Sequence, residues 1–102
     1  MAKLVALYKM PADTAAFDAY YFSTHVPIAK KISGLRRYEV SAGPVTTPQG
    51  DSMYHLAAIL SFDSMAAIRQ ALNSAEGQAT AGDLANFAQA GVNLLMFDTK
   101  EV

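Results

Sequence analysis

Residues 17–40 read FDAYYFSTHVPIAKKISGLRRYEV, and the change of period inside this stretch decides the fold. Phe17, Tyr20, Tyr21, Thr24, His25 and Ile28 fall at steps of three and four, which places them on one face of a helix. Pro27 is expected to end or kink that helix near His25, because proline lacks the N–H that the helical ladder needs. It also suits the first turn of a new segment. IAKKI continues with Ile28 and Ile32 inward, and Gly34 suits a helix end. From Leu35 the pattern turns to alternation, with Leu35, Tyr38 and Val40 as the apolar members of a half-exposed strand.

Working outward, KLVALYK (3–9) is a continuous apolar run between two lysines. It reads as a strand buried on both faces and stopped by Pro11. Asp13 or Thr14 then suits a helix N-cap. AGPVTTPQGDS (42–52) is loop in composition, and MYHLAAILSF (53–62) reads as a central strand. Asp63 or Ser64 caps a helix over SMAAIRQAL, with Met65, Ile68 and Leu72 on one stripe. NSAEG interrupts it, and Ser74 is placed to cap a further segment. GDLANFAQ (82–89) adds a helical turn or two anchored by Leu84 and Phe87, and GVNLLMFDT (91–99) is the last strand.

The order is β-α-β-β-α-β, so the expected class is α+β with a ferredoxin-like arrangement, in a single domain over residues 1–102. Both helices then cover one face of the sheet. Three strands (3–9, 53–62 and 92–97) are apolar on both faces, so the bare face is too large an apolar patch for a monomer. The expectation is a homodimer, two sheets closing face to face into a barrel with helices outside.

Composition agrees. Hydrophobic residues make up 52% of the 102, more than so short a chain hides within itself. The net charge is −1, and the basic pairs Lys30–Lys31 and Arg36–Arg37 form no broad patch, so neither nucleic acid nor an anionic membrane is an expected partner. Without cysteine there is no disulfide, no thiolate chemistry and no usual structural zinc site. MAKLVALYKM is too short to span a bilayer and lacks a cleavage region, which leaves a cytoplasmic protein as the default.

His25 is the first candidate for chemistry. A histidine near a helix C-terminus is drawn toward its charged form by the dipole and away from it by burial. In a pocket it serves as a general base or acid near neutral pH. Tyr21, four residues upstream, shares its stripe and is placed to hydrogen-bond His25 or a ligand, with Tyr20 beside it. The plainer reading is a core histidine satisfied by a carbonyl freed at Pro27.

His55 is expected to point with Ala57 and Ile59 and to be an interface or strand-end residue. No third ligand accompanies either histidine, so no metal is expected. Asp13, Asp63 and Asp83 read as caps or first-turn acids, and Asp98 as a solvated strand end. There is no nucleophile elbow or phosphate loop. Tyr8, Phe17, Tyr20, Tyr21, Tyr38, Phe87 and Phe97 either wall a cavity for a small apolar or aromatic compound or simply fill the core.

With these residues in view, FDAYYFSTHVPIAKKISGL resembles the EthD family, with its aromatic first helix, its HxP element and its turn into the second strand. SFDSMAAIRQAL and SAEGQATAGDLANF resemble the family's second helix and its acid-and-phenylalanine tail. Ser33 stands where the family usually has proline before the glycine, which leaves the turn less rigid and removes no reactive group. The resemblance implies a dimeric α+β barrel. The family takes its name from ethyl tert-butyl ether degradation and has a mostly undefined activity. Relatives on that barrel include small cyclases, lactone isomerases and cofactor-free monooxygenases. The family histidine maps onto His25 and its neighbouring aromatic onto Tyr21, and no cofactor is implied.

Three functions follow as expectations. One is a cofactor-free isomerase, cyclase or oxygenase-type enzyme, with His25 and Tyr21 catalytic and Tyr20, Phe17, Tyr8, Tyr38 and Phe87 binding a small hydrophobic substrate. The second is a ligand-binding accessory protein of an oxygenase pathway. The third is a structural dimer with a self-filled pocket.

Overall fold

The computed structural model describes residues 1–102. In chain order the elements are β1 (Ala2–Lys9), α1 (Thr14–Tyr20), a π-helical turn (Tyr21–His25), α2 (Val26–Ala29), β2 (Arg37–Val40), β3 (Thr46–Thr47) and β4 (Gly50–Asp51). There follow β5 (Tyr54–Phe62), α3 (Met65–Asn73), α4 (Ala75–Asp83), a 3-10 turn (Leu84–Asn86) and β6 (Val92–Asp98). The main sheet runs β2-β5-β1-β6 with every neighbour antiparallel. With β3 and β4 set aside, this is the ferredoxin-like βαββαβ order that the alternation of periods predicts. β3 and β4 pair only with each other, in a small hairpin inside the stretch that reads as loop.

Register explains the two faces. Ala2, Leu4, Ala6 and Tyr8 stand opposite Phe62, Leu60, Ala58 and Leu56, and this row faces the helices. Most of it is buried. The alternate row (Val5 and Leu7 on β1, Ala57 and Ile59 on β5, Leu95 and Phe97 on β6) lies on the open face. β6 is an edge strand. On it Leu94, Leu95 and Phe97 are each about half exposed (54%, 52% and 47%).

Side-chain caps fix the helix starts. Asp13 accepts the Ala16 N–H at 3.0 Å, Ser64 the Ala67 N–H at 3.0 Å and Ser74 the Gly77 N–H at 3.1 Å. Asp63, the alternative cap for α3, instead takes both Arg36 Nε and Nη2 (3.1 and 2.8 Å) at the surface.

Pro27 breaks the regular helix near His25 and sits in the first turn of α2, as expected. The chain winds wider just before it, with the Val26 N–H donating to Tyr21 O, and then resumes as α2. A proline ring clashes with the carbonyl four residues back and offers it no N–H, and the extra residue per turn accommodates both defects. Regular helix stops at Ala29, short of Gly34, so Ala29 rather than Ile28 joins Ile32 in the core. In α3 likewise, Ala71 is buried beside Ile68, while Leu72 is 36% exposed.

α3 and α4 meet at Gly77, where a Cβ would lie 1.9 Å from the Ala71 carbonyl oxygen. Helix propensity alone favours alanine over glycine by about 1 kcal/mol. The clash is with backbone, which cannot swing aside, so the packing cost wins. Gly77→Ala is expected to destabilise the fold by about 2 kcal/mol net. A thermal melt at or above that of the unsubstituted protein would contradict this.

Candidate functional site

The π turn ends on His25 and α4 ends on Asp83, and the two meet in the interior. His25 is 3% exposed and Asp83 7%. His25 Nδ1 lies 2.9 Å from Asp83 Oδ2. The other carboxylate oxygen, Oδ1, accepts the Tyr20 hydroxyl at 2.6 Å and the Asn86 amide at 3.0 Å. Burial on its own pushes the Asp83 carboxyl up, but the hydrogen bonds from Tyr20, Asn86 and His25 outweigh it and hold it below the usual carboxylate range. Asp83 is therefore an ionised acceptor with no proton to give. The Nδ1 of a neutral His25 must carry its hydrogen, which leaves the lone pair on Nε2.

Behind this pair lies an aromatic wall. The Phe87 ring is 4.6 Å from the His25 ring and the Tyr21 ring 5.3 Å. In front is an apolar cavity of about 70 Å³, lined by His25, Tyr8, Tyr21 and Tyr38 among aliphatic side chains. The half-exposed Leu72 and Leu94 form part of its lining. Nε2 has no protein partner, and no buried side-chain nitrogen or oxygen is left unpaired, so Nε2 is not sealed off in the interior. The hydroxyls of Tyr21 and Tyr38 are 2.5 Å apart. Burial, first of all, raises both phenols and that of Tyr8 above the ordinary tyrosine range.

The aromatics thus divide. His25, Tyr21, Tyr8 and Tyr38 share the cavity. Tyr20, Phe17 and Phe87 line an open cleft on the other side of the aromatic wall. Tyr20 acts through Asp83, and the Tyr21 hydroxyl pairs with Tyr38 rather than with His25. Asp83 and Asn86 are the residues the sequence reading passed over. Asp83 reads as a first-turn acid but closes its helix, and its signal in the sequence is an acid directly before Leu84 and four residues before Phe87 in GDLANF, within the acid-and-phenylalanine tail.

His55 takes no part in this cavity. β1 shifts register against β5 between Tyr8 and Lys9, which leaves His55 as the extra residue of a bulge. The bulge turns it away from the Ala57–Ile59 row and toward α1, where Nε2 lies 2.8 Å from Asp18 Oδ1 and the ring meets Phe17 edge-on. No group of three or more metal-ligating side chains is present.

The match to known proteins follows the geometry. The family model described as EthD domain matches residues 9–91. An uncharacterised 11.0 kDa protein in the thcB-thcC intergenic region of Rhodococcus erythropolis is 42% identical over all of this chain and 98% of its own length. A crystal structure of an ethyl tert-butyl ether degradation (EthD) family protein from Bacillus halodurans is 37% identical, with a TM-score of 0.90 over 98% of this chain and 99% of that one. Two others share the fold alone. A dimeric ferredoxin-like protein of unknown function from Thermobifida fusca (15% identity) has a TM-score of 0.70 over 96% of this chain and 90% of its own. SnoaB, a cofactor-independent oxygenase from Streptomyces nogalater (16% identity), has a TM-score of 0.69 over 99% and 94%.

A buried carboxylate held low stabilises the fold above its unfolded value, near 3.9, and that contribution is lost as pH falls through the lower folded value. Asp83→Asn is therefore expected to cost about 2 kcal/mol at neutral pH. The gap should shrink once both states of the carboxyl are protonated. Denaturant unfolding of the two proteins across an acid series measures it, and a gap that stays constant into strong acid would contradict the assignment.

Proposed function

The chain belongs to the EthD family, and we propose that it works as a homodimer that takes one end of a small apolar or aromatic compound into the cavity beside His25. There His25 moves a proton on the compound without a cofactor. The observation that carries this reading is the oriented histidine: a buried imidazole tied by Nδ1 to a carboxylate, with Nε2 left for an apolar cavity. A histidine kept only for packing needs neither an ionised partner nor an empty volume in front of it.

The cavity is far below the roughly 300–1,000 Å³ that engulfs a drug-sized ligand. It receives a compact group, and the rest of the compound lies along Leu72 and Leu94. No lysine or arginine lines it, which favours a neutral compound over a carboxylate or phosphate.

The open sheet face supports the dimer. Val5, Leu7, Ile59, Leu95 and Phe97 form an apolar surface, with Lys3 beside Phe97 donating to Ser61 Oγ, and Ile59, Leu95 and Phe97 are among the exposed large hydrophobic residues. It lies across the sheet from the cavity, so pairing of sheets leaves the cavity free. The dimeric ferredoxin-like relative supports the same arrangement.

Sedimentation is expected to give twice the chain mass at low micromolar concentration, and Phe97→Glu is expected to shift it to the monomer. A monomeric unsubstituted protein would end the dimer reading. For the cavity, titration with indane, a small aromatic hydrocarbon, is expected to shift the NMR signals of His25 and Tyr38. Shifts confined to the separate open cleft that His55 lines with Thr14, Asp18, Phe22 and Tyr54 would move the site there. Binding without turnover of any compound would leave a ligand carrier rather than an enzyme.

A further inference from the structure

We propose that the compound is an enolisable carbonyl and that the cavity removes a proton from the carbon next to its carbonyl, His25 Nε2 taking the proton while the Tyr21–Tyr38 hydroxyl pair holds the oxygen. This rests on the functional reading above and narrows it to one substrate class and one reaction type.

Hydrogen counting carries the inference. Asp83 already accepts from Tyr20, Asn86 and His25 Nδ1, so it fixes the ring without receiving the substrate proton. Asp83 is a positioning residue, and His25 Nε2 is the base. The Tyr21 hydroxyl sits between those of Tyr38 and Tyr8, so three hydroxyl hydrogens serve two contacts, whichever residue donates in each. The third is left to donate to a ligand in the space that all three residues line. Base and hydroxyl donors thus share one apolar chamber.

The chemistry that needs this pairing begins neutral and becomes anionic only as it reacts. A chamber without a cation does not hold a permanent anion well. A phenolic O–H aimed at an oxygen gains most when that oxygen acquires charge, so its effect falls on the transition state rather than on binding. In the step, the carbon–hydrogen bond breaks and its electron pair becomes the new carbon–carbon double bond. The carbonyl π pair moves to oxygen, and the proton rests on Nε2, giving an imidazolium beside the Asp83 carboxylate. Returning that proton to the same carbon restores the substrate. Returning it to the far carbon of a conjugated enolate gives an isomer. Nothing else is consumed.

The test is exchange of the C2 hydrogens of 1-indanone for deuterium in D2O at neutral pD, followed by proton NMR with the intact protein. Indane serves as the same shape without the carbonyl. Exchange is expected to exceed that of matched buffer. His25→Gln, which keeps an amide donor for Asp83, is expected to lose at least tenfold of the protein-dependent rate. Tyr38→Phe is expected to lose about tenfold while indane still shifts the His25 ring signals. If indane and indanone both shift those signals but indanone exchanges at the buffer rate, enolisation is overturned and the pocket reading stands. If neither shifts them, the pocket reading fails and takes this inference with it.

Discussion

A carboxylate removed from water is the constraint on which the rest of this structure depends. Asp83 is 7% exposed, and an isolated buried charge costs several kcal/mol unless it is fully hydrogen-bonded. Its three donors come from the last residue of α1, the last residue of the π turn and the 3-10 turn after α4. To satisfy one side chain, both helical arms of the fold must close on each other in one geometry. That closure sets the His25 ring against Phe87 and leaves its second nitrogen without a protein partner, in a residue that lines the cavity.

The wide turn before Pro27 belongs to the same arrangement. In a regular helix, Tyr21 and His25 would stack one turn apart. The π turn inserts a residue there, and both side chains still face inward, with Tyr21 free to reach Tyr38 across to β2. π turns are uncommon and recur at functional sites, where a helix trades ladder regularity for the aim of a side chain. Here Pro27 supplies the local cause and the His25–Asp83 contact the compensation.

The architecture was legible in the sequence because it rests on periodicity. The apolar runs at 3–9, 53–62 and 92–97 and the helical stripes between them specify the ferredoxin-like order. The candidate site was legible only by half. His25, Tyr21, Tyr8 and Tyr38 were marked out by residue type and by the resemblance carried in residues 17–37. Asp83 was not, because an acid in a helix most often serves the dipole or the solvent, and only tertiary closure brings it to a histidine 58 residues away. The bulge that turns His55 toward Asp18 was hidden for the same reason, since period-two counting assumes an unbroken register.

Everything proposed about chemistry passes through one proton, the one on Nδ1 of His25. Nitrogen-15 NMR of the histidine rings in the unsubstituted protein reports it directly. The structure requires neutral His25 to appear with a protonated Nδ1 and a bare, pyridine-like Nε2. A neutral His25 carrying its hydrogen on Nε2 would contradict the donor role toward Asp83, and with it the base that faces the cavity.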